Sequence, residues 1–168
     1  MCDRPLTHWP PIEKLVPHQK PMLLLDEVVD WDRRVMTAAV TISRGRLFCE
    51  PAGVPGYVGI EYMAQSCGAF VGMQAFESGQ PVRIGFVLGT RRYLTNRSWF
   101  RFGERLLVSS TLVYHENAMG MFDTKIMVRD QLAAEAQLTV YQPSAEALDT
   151  LIRETRDDSR SKPWRHPI

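Results

Sequence analysis

The 168-residue chain has few of the residues that build disulfide frameworks and metal sites. Its three cysteines, at positions 2, 49 and 67, include no CxxC pair, and its four histidines show no zinc-ligand spacing. This usage predicts neither a disulfide-stapled secreted domain nor a structural zinc site. We therefore expect no metal. The apolar surroundings of Cys67 indicate a small buried hydrophobic residue.

Long hydrophobic runs and a dominant charge are also missing. No apolar run approaches membrane-spanning length, and the first residues (MCDRP) lack the apolar core of a secretory signal. Twenty basic and nineteen acidic side chains leave a net charge of +1, and no glycine-rich phosphate loop is present. We therefore expect a cytoplasmic protein that binds neither nucleic acid nor membrane. The length fits one compact domain.

What the chain does contain is a long apolar segment, residues 57–77, after a loop rich in proline and glycine. Between positions 57 and 73 the only charged residue is Glu61. A segment that is apolar all round predicts a buried helix, which the Ser-Gly-Gln-Pro sequence at 78–81 ends. Gly68 and Gly72 are four residues apart and would let another backbone approach this helix closely.

Glu61 and Gln65 are also four apart, so they share one face of that helix. A buried carboxylate costs several kcal/mol unless it is paired, hydrogen-bonded or protonated. Glu61 is therefore a candidate active-site group. The alternative is an ordinary first-turn glutamate that faces water. Gln65 either orients Glu61 or satisfies a buried backbone group.

Strand patterns flank the helix on both sides. Residues 22–29 and 35–42 predict two strands before it, 83–94 and 105–116 predict two after it, and 121–129 with 132–141 predict a hairpin turning at Asp130-Gln131. A final helix is expected from 144 to about 153. A helix that is apolar all round needs a sheet that curls around it. The sequence therefore predicts an α+β domain, an antiparallel sheet wrapped around one long central helix, with exposed edges that favour a dimer.

Several of these segments resemble the hotdog-fold 3-hydroxyacyl-[acyl-carrier-protein] dehydratases. They are residues 15–29 (LVPHQKPMLLLDEVV), the Pro55-Gly56 turn, 61–65 (EYMAQ), 85–93 (GFVLGTRRY) and 140–143 (VYQP). The pattern is most similar to the dehydratase-like proteins of aryl polyene pathways. The resemblance implies a hotdog domain over residues 12–143, then a C-terminal helix and loosely ordered tail over 144–168.

The resemblance also implies an activity. It indicates a lyase that dehydrates 3-hydroxyacyl chains in a fatty-acid-like or polyene pathway. The substrate would be carried on the phosphopantetheine of an acyl carrier protein, with no other cofactor. Glu61 matches the catalytic acid of the family. The catalytic histidine of the family, in a Gly-His-Phe-Pro motif fourteen residues before the glutamate, is here Leu47.

His18 is the replacement base to consider first, because the flanking prolines hold it in an extended, fixed course. Active dehydratases carry a similar Pro-His without using it as the base, which favours a structural histidine. The change at Leu47 leaves two alternatives open. The chain is either a dehydratase, as a homodimer, or a non-catalytic subunit of a heterodimer with a related hotdog dehydratase. A third is an acyl thioesterase in which Glu61 activates water.

Backbone N–H groups at the start of the central helix are suited to hold the thioester carbonyl. Those of Gly56, Tyr57 and Val58 would face the oxygen as it gains enolate charge, because a helix N-terminus favours developing negative charge.

A basic stretch follows the helix. Between positions 83 and 105 there are six arginines and one acidic residue. Because carrier proteins are acidic, Arg91, Arg92 and Arg97 are predicted to dock one. The alternative is a solvated strand face.

Overall fold

The computed structural model describes residues 9–161, with side chains described to residue 155. The elements are β1 (Glu27–Trp31), β2 (Val35–Thr41), β3 (Val54–Pro55), α1 (Gly59–Glu77), β4 (Phe86–Thr95), β5 (Trp99–Phe100), β6 (Arg105–Glu116), β7 (Met119–Val128), β8 (Gln131–Tyr141) and α2 (Ala145–Ser161). Single 3-10 turns occupy Ile12–Lys14 and, directly before α1, Gly56–Val58.

Six strands form one antiparallel sheet in the order β1-β2-β6-β7-β8-β4, and β3 pairs separately with β5. The register shifts within the β1–β2, β4–β8, β6–β7 and β7–β8 pairs. Such shifts bend strands and increase their twist, which lets the sheet curl. The sheet packs on α1 through β2, β6, β7 and β8. The predicted hotdog arrangement, with one long helix inside a wrapped sheet, is confirmed.

Aromatic side chains join α1 to the sheet. The Phe70 ring on α1 meets Trp31 of β1 edge-on, with 4.9 Å between centroids, and Phe122 of β7 at 5.1 Å. Phe70 and Phe122 are almost fully buried, and burial of such a side chain is worth about 1.5–3 kcal/mol. These contacts fix which side of α1 faces the sheet.

The close approach predicted for the two glycines occurs at one of them. A Cβ on Gly72 would lie 1.7 Å from the carbonyl oxygen of Leu15, so only glycine fits there. A Cβ on Gly68 would meet nothing nearer than a Val16 methyl group at 3.8 Å. Gly72 therefore serves packing, whereas Gly68 faces open space.

The strand predicted from residue 22 is wrong at its start, because β1 begins at Glu27. Residues 23–25 are buried leucines, but apolar character marks burial and not strand pairing. Side chains from elsewhere in the fold satisfy the backbone of Leu24 in place of a neighbouring strand.

Other boundaries also differ. β3 and β5 were not predicted, because two-residue strands carry no periodic signal. The hairpin turns at Arg129 and Asp130, which have φ angles of 49° and 60°, one residue earlier than predicted. The second helix continues to Ser161, and the predicted tail lies outside the described residues from 162 onward.

Candidate functional site

A cavity of about 250 Å³ lies between α1 and the first residues of β4. One face of α1 forms its floor through Glu61, Ala64, Gly68 and Val71, which follow helical spacing. The remaining wall is made by Pro17, His18, Arg83, Gly85, Phe86, Val87, Val140 and Gln142. The two side chains predicted to act in catalysis, Glu61 and His18, therefore line the same cavity, although 43 positions separate them in the sequence.

Glu61 is half-buried in the first turn of α1. Its Oε1 accepts a hydrogen bond of 2.9 Å from Nε2 of Gln65. The carboxylate is thus turned along the helix towards Gln65. It is less buried than the apolar sequence suggested, but it faces a cavity.

Gln65 is almost completely buried and uses both ends of its amide. Its Oε1 accepts from the N–H of Leu24 at 2.9 Å, and its Nε2 donates to the carbonyl of Met22 at 2.8 Å as well as to Glu61. Both roles considered from the sequence, a contact with Glu61 and satisfaction of buried backbone groups, are present in this geometry. Gln65 therefore joins α1 by hydrogen bonds to residues 22–24, which follow His18.

His18 is half-buried at the opposite wall. Its Nδ1 is shielded from solvent and has no hydrogen-bond partner among the described residues. A buried ring nitrogen without a partner is uncommon, because buried polar atoms are normally satisfied. His18 lines the cavity as a residue, but this nitrogen is itself enclosed by protein.

The turn before α1 differs from the prediction for Gly56. Its N–H donates to the Ser98 carbonyl at 2.8 Å, so it is already used. Its carbonyl accepts from the hydroxyl of Tyr93 and from the N–H of Gly59. The N–H groups of Tyr57 and Val58 remain as the candidate donors. The Tyr57 side chain is 69% exposed and therefore belongs to the surface.

The loop that carries Leu47 is held by ion pairing. Leu47 packs half-buried against the core, while the neighbouring Arg46 binds Asp26 at 2.6 Å. The position where the family has its catalytic histidine is therefore occupied by a packing residue.

The three arginines predicted to dock a carrier are in different environments. Arg91 and Arg92 are exposed on β4. Arg97 is half-buried and paired with Glu104 at 2.8 Å. Burial opposes ionisation of Glu104, but the N–H of Arg101 and the Arg97 guanidinium together lower its pKa. Arg97 thus has an internal structural partner.

A second, larger cavity of about 600 Å³ adjoins the first, and the two share Val71, Arg83, Val140 and Gln142. It extends towards the end of α1 past Phe70, Gln74 and Ser78, and it reaches Leu112, His115 and Phe122 of the sheet. The two adjoining cavities lie side by side along α1 and together are called the groove below. This groove was not predicted from the sequence.

Burial keeps two further protonatable side chains, those of Tyr62 and Cys67, in their neutral forms. Burial raises the pKa of Tyr62 to about 12, with Arg46 opposing, and burial raises the pKa of the Cys67 thiol to about 12. Neither is therefore a base or a nucleophile near neutral pH. Among residues 9–155, whose side chains are described, no three His, Cys, Asp or Glu side chains gather closely enough to hold a metal ion. Neither helix within residues 9–161 is long and apolar enough to cross a bilayer.

Comparison with known proteins places this arrangement in a family. The model of the ApeP-like family, described as ApeP dehydratase, matches residues 10–153. The chain belongs to the ApeP-like dehydratase family. As an ApeP-like protein it conforms to the resemblance inferred from the sequence motifs, and the match extends into α2.

Individual relatives agree with that assignment. The ApeP-like chain is 28% identical over 156 residues to the 3-hydroxyacyl-[acyl-carrier-protein] dehydratase FabZ of Chlamydia caviae, which spans 89% of this chain and 100% of the relative. It is 33% identical over 139 residues to FabZ of Alkalilimnicola ehrlichii, across 76% and 85% of the two chains.

Solved structures give the same result. The dehydratase heterocomplex ApeI:P from Xenorhabdus doucetiae superposes with a TM-score of 0.79 at 27% identity, over 86% of this chain and 98% of that one. A hypothetical thioesterase protein from Streptococcus pneumoniae, with coenzyme A, superposes with a TM-score of 0.56 at 12% identity, over 70% and 85% of the chains. The latter similarity shows the fold alone.

Sequence reasoning missed two residues that shape the site. Tyr93 anchors the turn before α1 from β4, and Arg46 binds the segment before β1. No local pattern marks either of them, because their partners lie 37 and 22 positions away in the sequence.

Proposed function

We propose that this ApeP-like protein dehydrates 3-hydroxyacyl thioesters carried on an acyl carrier protein, with Glu61 as an acid/base group. The observation that carries the proposal is the cavity that Glu61 and His18 share, with the Glu61 carboxylate held by Gln65. Membership of a dehydratase family supports it.

Dehydration breaks a C–H bond at C2 and the C–O bond at C3, forms the C2=C3 double bond and releases water. His18 would take the C2 proton on its imidazole ring, and Glu61, in its protonated form, would give a proton to the departing hydroxyl. Charge builds on the thioester oxygen meanwhile. The N–H groups of Tyr57 and Val58, at the start of a helix, would stabilise that charge.

The acyl chain would lie along the groove that the two cavities form. Glu61 and Gln74 are thirteen residues apart on α1, which corresponds to about 20 Å at 1.5 Å per residue. An extended chain covers about 1.2 Å per bond, so the groove suits a chain of roughly 16 bonds. Phe70, Phe122 and Leu112 give it apolar walls.

The carrier protein would approach over the exposed arginines of β4. Arg91 and Arg92 are free of ion pairs among the described residues, whereas Arg97 is paired with Glu104. Exposed like charges attract an acidic partner and chiefly raise its association rate. The phosphopantetheine arm would then deliver the thioester to Glu61.

A second candidate function is that of a subunit in a heteromeric dehydratase. Leu47 favours it, because the position of the family histidine holds a core-packing side chain. β4 is a ten-residue edge strand whose exposed apolar side chains include Phe86, Val87 and Leu88. An exposed apolar edge suits pairing with another hotdog subunit, which would bring its own histidine. The structural similarity to the ApeI:P dehydratase heterocomplex supports such an assembly.

One experiment separates these functions. The purified protein is incubated with a 3-hydroxyacyl carrier protein, alone and with a partner hotdog dehydratase, and the acyl carrier is weighed by mass spectrometry. Loss of one water by the protein alone supports a self-sufficient dehydratase. Loss that requires both proteins supports the heteromer, and a fall in that activity with Glu61→Gln would show that this subunit takes part in the chemistry. Release of free carrier thiol would instead indicate a thioesterase. An unchanged acyl carrier in every mixture would contradict the proposal.

A further inference from the structure

Arg46, in the loop before α1, and Gln65, on α1, both bind the backbone of Leu24. Leu24, which is buried, donates its N–H to Oε1 of Gln65 at 2.9 Å, and its carbonyl accepts from Nη2 of Arg46 at 2.8 Å. Gln65 in turn donates to Glu61 at 2.9 Å. A continuous series of hydrogen bonds therefore runs from Arg46 through Leu24 and Gln65 to the carboxylate.

We infer that Arg46 is a positioning residue for Glu61, acting through Leu24 and Gln65. The inference rests on the proposed function, in which Glu61 reacts. Leu24 precedes β1 and has no strand neighbour, so these two side chains supply the hydrogen bonds of its backbone. Buried backbone groups need such partners, and a peptide held on both sides has little freedom to move. Without Arg46 the peptide plane would be free to tilt, and Gln65 would follow it.

The hydrogen bond to Leu24 matters more here than the ion pair of Arg46. The pair with Asp26 leaves the two side chains 26% and 35% exposed, and such exposed pairs contribute little to stability. The Leu24 carbonyl, by contrast, is in a buried residue, where an acceptor without a partner is costly. Arg46 also reaches the Thr41 carbonyl at 3.3 Å. A planar guanidinium reaches these separate acceptors at once, which a lysine ammonium on a flexible stem does less well.

The loop that carries Arg46 contributes to the site even though Leu47 occupies the position of the family's catalytic histidine. In the resembling family the loop presents a catalytic histidine to the substrate. Here it packs Leu47 against the core and directs Arg46 to the segment that leads away from His18. The loop thus contributes to the site by fixing the groups that line it.

The test compares Arg46→Ala with Arg105→Ala. Arg105 also makes an ion pair near the start of β1, 2.8 Å to Glu27, but its pair is exposed and has no bond to Leu24. The first readout is amide hydrogen exchange at Leu24, which needs no activity. We expect at least tenfold faster exchange in Arg46→Ala and no change in Arg105→Ala. Unchanged Leu24 exchange in Arg46→Ala would overturn the inference, whatever the activity.

The second readout is dehydration, with kcat and KM measured separately and the partner subunit present if it is needed. We expect Arg46→Ala to lower kcat about tenfold with KM nearly constant, and millimolar methylguanidinium to restore part of the loss. In a Gln65→Leu background, Arg46→Ala should add little, because both act on one carboxylate. Full additivity, or an unchanged kcat, would overturn the inference.

Should Arg46→Ala fail to fold, Arg46→Lys replaces it, and the same changes in exchange and kcat are expected with smaller magnitude. Wild-type protein that is inactive in every mixture would defeat the proposed function. Amide exchange at Leu24 would then be the only test of whether Arg46 holds the Leu24 backbone.

Discussion

Gln65 and Glu61 are joined by a 2.9 Å hydrogen bond across one turn of α1, and the same amide binds the backbone of Met22 and Leu24. The orientation of the reacting carboxylate is thereby tied to the segment that carries His18 into the cavity. Gln65 is thus more than a packing residue, because it sets the position of Glu61 relative to the segment that follows His18.

Replacement of Gln65 by leucine should affect both activity and stability. Leucine keeps the volume but leaves the Leu24 N–H and the Met22 carbonyl without partners, at a cost of about 1–3 kcal/mol each. We expect a large fall in the free energy of unfolding, measured in urea, and at least a tenfold loss of kcat. Gln65→Glu keeps an acceptor for the Leu24 N–H but sets a second carboxyl against Glu61 and the Met22 carbonyl, so it should restore neither stability nor kcat. Wild-type kcat in Gln65→Leu would contradict the role given to this amide.

Two glycines of α1 provide a matched pair. Gly72→Ala would push a Cβ to 1.7 Å from the Leu15 carbonyl oxygen, so we expect destabilisation of about 3 kcal/mol or more. At Gly68 the nearest atom would be 3.8 Å away, and alanine is favoured over glycine in a helix by about 1 kcal/mol. Gly68→Ala should therefore be neutral or stabilising in thermal unfolding. Equal effects of the two substitutions would show that the approach of Leu15 to α1 is not as described.

Val71 lies on the wall common to both cavities, so its size should set how far an acyl chain extends. Val71→Phe is expected to lower kcat/KM about tenfold or more for a 16-carbon 3-hydroxyacyl carrier and little for a 4-carbon one. Val113→Phe on exposed β6 is the control, because it touches neither cavity. If long and short chains lost activity equally in Val71→Phe, the acyl chain would not pass this residue.

The pair of Arg97 and Glu104 should make stability depend on acidity. Since the folded-state pKa of Glu104 is lowered, its contribution is present above the unfolded-state pKa of about 4.3 and is lost as the pH falls through the folded value. Glu104→Gln should therefore be less stable than wild type by about 1–2 kcal/mol at pH 7. The two proteins should converge once the pH has fallen below the lowered folded-state pKa of Glu104. Denaturant unfolding at several pH values measures this, and a difference that persisted at low pH would refute it.

The sequence predicted the parts of the fold that carry strong periodic signals. The apolar central helix and β6, whose bounds match at Arg105–Glu116, are examples. The contact between Glu61 and Gln65 also follows from their spacing of four. The sequence offered Glu61 and His18 as separate candidates, and no local pattern predicts that they line one cavity, since 43 residues separate them.

Other parts of the site depend on tertiary packing and leave no local trace. The use of the Gly56 N–H by Ser98, the pairing of Arg97 with Glu104 and the role of Arg46 each join residues that only the folded sheet brings together. The charge of Arg97 was visible in the sequence, but its partner was not. For the same reason the groove along α1 was not predicted, because its walls come from six separate segments.

The central claim is that Glu61 moves a proton in dehydration. Mass analysis of a 3-hydroxyacyl carrier protein, treated with wild type or with Glu61→Gln under conditions in which wild type is active, tests it most directly. The account predicts loss of one water with wild type and a roughly 10²–10⁴-fold slower loss with Glu61→Gln, whose thermal unfolding should remain cooperative. Equal rates for the two proteins would contradict it.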